Sequence, residues 1–441
     1  MLYSAPNVIR KIQDFYLVLN PEAPNLMVVD ELGKKVLNLS DGNHTRSQIV
    51  EMLSKEFDCD KQDVEGFIDS LLLAKFIGEQ SVPVYRRVKE DPINLGMLQL
   101  HLTQACNLRC IHCYFSSGTQ LRNELSDTEF VNIIKEAGKI GIKCINMTGG
   151  EPFLRKKLLF EIIREATYQG IEKVSVNTNG TLLTEEDASL LKKYNVAVAV
   201  SLDGATAETH DYIRGKRVFD KTVKAIKLLQ ETGVVTLITM TLMKANIKET
   251  EKIVQLAKEL GVSSVVFNAV RLKGRAEENI DDIEIPAKDV MPGLMQAWKT
   301  SRKMGIGTTM ESMWTSVKQL QYRNLCGAGR AALSIAPNGD VYPCDAFYGE
   351  EAFKAGNIRE KPLIRIWRDS PVTKAFTNLT LDDIEECRDC ELKYICGGGC
   401  IGENYKTHGV LNKCSPLCEV FKETYWRIIA ELAKDMWRET Q

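Results

Sequence analysis

From about residue 95 to 310 the chain alternates short apolar stretches with amphipathic helical runs, and no other feature narrows its possible folds as far. Strands read at 97–103, 144–148, 172–177, 196–202, 234–242 and 263–269, with helical runs between them at 127–139, 156–169, 184–194, 218–232 and 247–260. A helix between two strands carries the chain back to the end it started from, so the strands run parallel and the helices cover the sheet. The expected class is α/β. Ser126-Asp127-Thr128-Glu129 forms a capping box at the start of the first helix. In sheets of this kind the chemistry collects beyond the C-terminal ends of the strands.

Cys106, Cys110 and Cys113 fall there, on the loop leaving the first strand. Three thiolates at C-x3-C-x2-C spacing suit a four-iron cubane and leave one iron without a protein ligand. A zinc knuckle is the competing reading, but zinc sites favour paired C-x2-C halves. Thr148-Gly149-Gly150-Glu151-Pro152 leaves the second strand. Its glycines let backbone approach a ligand closely, and Glu151 offers a carboxylate to an ammonium group. Val176-Asn177-Thr178-Asn179-Gly180-Thr181 ends the third strand and Ser201-Leu202-Asp203-Gly204 the fourth, so polar side chains gather on one rim. Asn177 and Asn179 also read as turn residues. Cys144 reads as a buried, inert thiol in a core strand, and Cys59 as a core or surface thiol.

The 441 residues allow two or three domains. Lys plus Arg (57) nearly equals Asp plus Glu (59), so overall charge makes no case for nucleic acid or membrane as a partner. The start of the chain has no basic region followed by a long apolar run, and no later run reaches spanning length. A cytoplasmic location is the expectation. The thirteen cysteines are unevenly spread: one before residue 100, four from Cys106 to Cys144 and eight from Cys326 onward. With no export signal, that clustering fits iron–sulfur ligation better than disulfides.

The cysteine triad, with Tyr114 beside its last member and Gly149-Gly150-Glu151-Pro152 one strand later, resembles the radical S-adenosylmethionine (radical SAM) enzymes. The resemblance implies a partial (β/α)6 barrel. It implies that the open iron chelates SAM and that an electron from the cluster cleaves it to a 5'-deoxyadenosyl radical. Glu151 in the GGEP motif is then assigned the methionyl amino group. The stretch from Ser201-Leu202-Asp203-Gly204 through His210 to Arg214 resembles the family after the fourth strand. It implies Ser201 at the SAM ribose or carboxylate end and Arg214 at the carboxylate, with Asn177 and Asn179 weaker candidates and the strand at 265–270 lending backbone to adenine.

Residues 1–85 read as a separate unit. Met27-Val28-Val29-Asp30 and Lys35-Val36-Leu37-Asn38-Leu39 read as a hairpin, followed by amphipathic helices at 45–57 and 61–73. This order resembles the winged-helix leader-binding module of the pyrroloquinoline-quinone peptide chaperone. A DNA-binding winged helix is the alternative, but neither helix is rich in Lys or Arg. A leader peptide is expected to add as a strand to the hairpin between residues 27 and 39.

From 320 to 425 the periodicity is weak, and metal ligation would supply the missing stability. Cys326, Gly339-Asp340-Val341-Tyr342-Pro343-Cys344, then Cys387, Cys390, Cys396, Cys400, Cys414 and Cys418 resemble the SPASM extension, which holds two auxiliary four-iron clusters. The resemblance assigns Cys326, Cys344 and Cys400 to the first. It assigns Cys387, Cys390 and Cys396 to the second, with Cys418 favoured by spacing and Cys414 close behind. A cysteine that some relatives carry just before the position of Cys326 is missing, so the first cluster is completed by the spare cysteine or open to a substrate thiolate. Zinc ribbons are the alternative for the C-x2-C parts.

Together these resemblances imply a maturase of a ribosomally made precursor peptide, fed electrons by a flavodoxin or ferredoxin. Thioether crosslinking is the favoured reaction, with carbon–carbon crosslinking or terminal decarboxylation as alternatives within the class. Maturation of a sulfatase-type protein or of a tetrapyrrole, and a non-enzymatic iron–sulfur sensor binding DNA, are alternatives outside it.

Overall fold

In the computed structural model, residues 1–21, 25–80, 94–319 and 323–440 are described; residues 81–85 of the expected first unit and 320–322 of the third lie outside them. The N-terminal unit runs β1 (Tyr3–Ser4), β2 (Val8–Ile12), β3 (Phe15–Asn20), β4 (Asn25–Val29), α1 (Glu31–Leu39), α2 (Arg46–Glu56), α3 (Lys61–Leu73) and β5 (Ile77–Gly78). Strands β2, β3 and β4 form an antiparallel sheet, and β1 pairs with β5. Both expected helices are present, α2 opening on a Thr45–Gln48 capping box.

The expected strand at 35–39 is not. Those residues belong to α1, which Asp30 caps by accepting a hydrogen bond from the Gly33 backbone N–H at 2.8 Å. Val36 and Leu37 are buried on one side of this helix. The sheet partner of β4 comes from upstream instead. Every residue of β3 is buried, with Tyr16 and Val18 packing on the module's helices and Phe15, Leu17 and Leu19 on a second core.

The central sheet is built from β6 (Met97–His101), β7 (Cys144–Thr148), β8 (Lys173–Thr178), β9 (Ala197–Ser201), β10 (Thr236–Leu242), β11 (Ser264–Ala269) and the short β12 (Gly307–Thr308). All pair in parallel, in chain order. The connecting helices are α4 (Asp127–Lys139), α5 (Lys156–Tyr168), α6 (Glu185–Lys193), α7 (Ala207–Arg214), α8 (Phe219–Glu231) and α9 (Thr250–Glu259). Beyond β11 lie α10 (Arg275–Glu278), α11 (Ile280–Ile283), α12 (Ala287–Met304) and α13 (Thr309–Lys318). The sequence reading placed one helix between β9 and β10; there are two, α7 being an eight-residue helix capped by Thr206.

The sheet does not stop at β6. Strands β13 (Ala332–Ile335), β14 (Asp340–Tyr342) and β15 (Gly356–Asn357) extend it, β13 lying parallel to β6 with Ser334 opposite Gln99. The cysteine-rich region thus covers an edge of β6 that would otherwise expose unpaired backbone groups. Its helices are α14 (Leu363–Asp369), α15 (Pro371–Asn378), α16 (Glu385–Arg388), α17 (Lys393–Cys396), α18 (Ile401–His408) and α19 (Cys418–Thr440). The strands bury Leu98, Leu100, Ile145, Met147, Val174, Val176, Val198 and Val200 under the helices. Their other face carries Gln99, Asn146, Ser175 and Asn177, all half-buried.

Helix α19 runs on past residue 425 and returns to the N-terminal sheet. Tyr425, Ile428, Ile429 and Leu432 pack with Phe15, Leu17, Leu19 and Leu26 in one core. Phe15 stacks on Trp437 at 5.0 Å, and Arg10 lies 3.5 Å from the Trp426 ring centroid while pairing with Glu391 at 2.7 Å. Among the described residues no helix is long and apolar enough to cross a membrane.

Candidate functional site

The loop carrying Cys106, Cys110 and Cys113 is held by backbone contacts from several sides. The Gly150 N–H donates to the Thr103 carbonyl at 2.8 Å and the Glu151 N–H to the Ala105 carbonyl at 2.9 Å. A Cβ on Gly150 would overlap the Ala105 carbonyl, and one on Gly149, whose φ is +127°, would come within 2.6 Å of the Thr103 oxygen. The two glycines are therefore needed to seat this strap against the cysteine loop itself. Arg275 holds the other side, donating from Nε to the Cys110 carbonyl and from a terminal nitrogen to the Ser117 carbonyl, both at 2.9 Å.

Glu151 is fully buried. Its Oε1 accepts hydrogen bonds from the Phe153 N–H and the Thr178 hydroxyl, and its Oε2 from the Asn179 N–H. A carboxylate has about four acceptor positions, so one remains on Oε2. Burial raises the carboxyl's pKa against the pull of these donors.

Across the loop, Arg214 donates from Nε to Asp203 at 2.6 Å and directs a terminal nitrogen at Cys110 Sγ, 3.9 Å away. Asp203 also accepts from the Thr241 N–H at 2.7 Å and has His112 Nε2 at 3.5 Å. Burial opposes its charge, but Arg214 and the Thr241 N–H hold its carboxyl below the ordinary range. Burial lowers His112 and His210 to about 4, so both rings are neutral at neutral pH, and it pushes the Cys110 thiol up to about 11. Ser201 ends β9 half-buried. Asn177 accepts from Asn146 Nδ2 at 3.2 Å, and Asn146 also donates to Ser175 at 2.8 Å, giving the sheet's inner face an uncharged polar row. Asn179 is bound within the loop cluster through Asn107 and Thr181.

The eight C-terminal cysteines form two groups. Cys387, Cys390, Cys396, Cys414 and Cys418 line one cavity, with Leu392, Phe421 and Lys422. Cys326, Cys344 and Cys400 form the other, where Cys326 feels the charge of Cys400, and Cys344 that of Cys326. Cys144 is half-buried at the first position of β7, at the opposite end of the strand from the loops, and Cys59 is half-buried against the module core.

These sulfurs suit cluster ligands by the donors around them. Backbone N–H groups of Leu108 point at Cys106, of Ala328 and Ile401 at Cys326, of Ala346 at Cys344, and of Gly398 and Gly399 at Cys396. Gly397, Gly398 and Gly399 all have φ near +77°, a run only glycine adopts easily, which turns successive N–H groups toward one sulfur. Among the described residues no three His, Cys, Asp or Glu side chains gather closely enough for a single metal ion.

Two residues that sequence reasoning missed join the loops. Asp345, directly after Cys344 and buried, accepts from Ser334 at 2.6 Å, from Tyr114 at 3.2 Å and from Gln99, with His101 Nε2 at 2.9 Å. Arg271, two residues past β11, lies over the Tyr114 ring. Asp345 carried one faint signal, an acid adjoining a candidate ligand in a weakly periodic segment; Arg271 carried none.

The sequence matches the Radical SAM superfamily over residues 100–257, an iron-sulfur cluster-binding domain (SPASM) over 326–391 and coenzyme PQQ synthesis protein D over 16–77. It is 33% identical to the AdoMet-dependent heme synthase of Methanosarcina barkeri, over 73% of this chain and 95% of that one. It is 28% identical to the antilisterial bacteriocin subtilosin biosynthesis protein AlbA of Bacillus subtilis, over 92% and 89%. The fold is that of SuiB from Streptococcus suis, solved bound to the precursor peptide SuiA, with a TM-score of 0.60 and 18% identity over 95% of this chain and 100% of that one.

Proposed function

The chain belongs to the radical SAM superfamily of enzymes, with added SPASM and PqqD-like regions, and on that premise we propose that it closes a thioether crosslink in a ribosomally made precursor peptide. When bound, the first cluster and SAM would supply the means of abstracting a hydrogen atom from the peptide, and an auxiliary cluster would supply an acceptor for the electron that thioether closure releases. The chain's own residues do the rest.

Cys106, Cys110 and Cys113 would hold the first cluster. Gly149, Gly150, Glu151 and Pro152 would offer SAM's amino group the strap backbone and the last acceptor position of Glu151. Ser201 and the terminal nitrogens of Arg214 would meet the ribose and carboxylate. Gln99, Asn146, Ser175 and Asn177 would hydrogen-bond an extended peptide without selecting for charge. Cys326, Cys344 and Cys400 would hold one auxiliary cluster, and Cys387, Cys390, Cys396 with Cys418 or Cys414 the other, making three clusters. A flavodoxin or ferredoxin would supply the starting electron.

The observation that carries the crosslink reading is the uneven division of the eight C-terminal cysteines, five around one space and three around the other. Three thiolates on a cubane leave one iron for a substrate thiolate. The five-cysteine space holds one sulfur more than a cluster needs. Replacing Cys414 or Cys418 singly by serine should therefore leave iron content unchanged, whereas replacing both leaves three thiolates and one open iron there, so this cluster should then be the first to lose iron to a chelator. Iron analysis of the three reconstituted variants checks this.

The PqqD-like segment supports a peptide as substrate. In place of the expected hairpin, the free edge of β4 beside α1 is the surface to which an extended leader would add as a strand. The subtilosin relative covers 92% of the chain, too much to leave this module outside the likeness. Incubating the full chain, SAM and dithionite with short peptides encoded beside its gene tests the reading. The expected product is lighter by two hydrogens and has one thiol resistant to iodoacetamide. The same mass loss with all thiols alkylated would replace the thioether by a carbon–carbon bond. A second reading, action on a tetrapyrrole, is supported by the 33% identity to the heme synthase, and turnover of a tetrapyrrole with every peptide unchanged would favour it.

A further inference from the structure

Arg271 stands between two cysteine loops and belongs to neither. Its guanidinium carbon lies 5.3 Å from the Tyr114 ring centroid, and its Nε lies 3.8 Å from Glu403 Oε1. Tyr114 follows Cys113, and Glu403 is in the first turn of α18, three residues after Cys400. The ion pair is long, and the guanidinium donates no hydrogen bond to any described residue. Two-thirds of the side chain is covered, so water screens its charge only in part. The groups that act on its charge through space include Tyr114, Asp345, Cys344 and Cys400, whereas the cation acting on Cys110 is Arg214.

We propose that Arg271 sets the reduction potential of the cluster held by Cys326, Cys344 and Cys400, favouring its reduced state. The inference rests on the reading above that these three cysteines hold a four-iron cluster. The two states of a one-electron couple differ by one negative charge, so a fixed neighbouring cation stabilises the reduced state and a neighbouring anion destabilises it. Arg271 and Glu403 therefore act with opposite signs on one cluster. The cation holds the potential high enough to receive the electron released on crosslinking, and the loose pair with Glu403 moderates it. Neither residue is a cluster ligand, so both can be changed without removing a sulfur.

The test is a potentiometric titration of the reconstituted full chain, followed by electron paramagnetic resonance. Four variants are compared with the parent: Arg271→Met, Arg271→Lys, Glu403→Gln and Cys344→Ala. The signal that Cys344→Ala removes identifies the cluster. In Arg271→Met the oxidised-to-reduced ratio of that cluster at fixed poise should rise about tenfold, which is 59 mV for one electron. Arg271→Lys should restore most of the shift, and Glu403→Gln should move the potential the other way. If Arg271→Met fails to assemble the cluster, Glu403→Gln decides: an upward shift supports the inference and none overturns it. An unchanged potential in both variants, with the signal still lost in Cys344→Ala, overturns the role of Arg271 alone. Cys344→Ala protein that keeps every signal and all its iron overturns the cluster reading itself.

Discussion

Leu17→Asp should lower the melting temperature of the whole chain sharply, although residue 17 lies in the N-terminal module and far in sequence from the barrel. Leu17 is 1% exposed and packs, with Phe15 and Leu19, against Ile428, Ile429 and Leu432 of helix α19. A carboxylate placed there has no described cation to meet within that core. The cost of an unpaired buried charge is at least about 3 kcal/mol, a large share of the 5–15 kcal/mol that holds a typical domain folded. Thermal melts followed by circular dichroism, with limited proteolysis of α19, measure it. A melt like the parent's, with α19 still protected, would mean that the module and the last helix are stable independently. Arg10→Ala is the contrasting case, because its partners Glu391 and Trp426 are partly exposed and it should cost under about 1 kcal/mol. The shared core also complicates any truncation. Deleting the module would bare Tyr425, Ile428, Ile429 and Leu432 together, so lost turnover in such a fragment would report instability as well as lost leader binding.

Replacing Cys106, Cys110 and Cys113 together by alanine should abolish formation of 5'-deoxyadenosine and lower iron from about twelve to about eight per chain, four for each cubane. The strap from Gly149 to Glu151 and the brace from Arg275 act on loop backbone, so the loop should keep its shape and the auxiliary clusters should assemble. Deoxyadenosine assays with dithionite and SAM, run beside iron analysis, separate the two effects. Undiminished deoxyadenosine would move SAM cleavage to another cysteine group. Loss of all iron would mean that the three sites assemble only together.

The parallel strands and their helices were legible because each carries its own signal. Residues 127–139, 144–148 and 61–73 show the expected period, and local caps mark where helices begin. Strand β3 was not legible as half of a sheet. Phe15-Tyr16-Leu17-Val18-Leu19 is a continuous apolar run, and its alternation vanishes because helices bury both faces. The misreading of 35–39 as a strand came from a short apolar run that suits either period; the deciding element was the Asp30 cap, five residues earlier.

The sequence alone determined where the cysteines and the G-G-E-P segment stand along the chain, because C-x3-C-x2-C, G-G-E-P and C-x2-C-x5-C-x3-C are short local spacings. Only the tertiary structure decided what those loops touch. Asp345 meets Tyr114 across 231 positions and Gln99 across 246, and Arg271 reaches Tyr114 and Glu403 from a third segment. It also decided that Cys414 and Cys418 line one cavity, and that the last helix completes the core of the first domain. The physical reason is the same throughout. A spacing or a cap is fixed by neighbouring residues, whereas a buried carboxylate, an ion pair between loops or a shared apolar core depends on partners that only the folded sheet brings together.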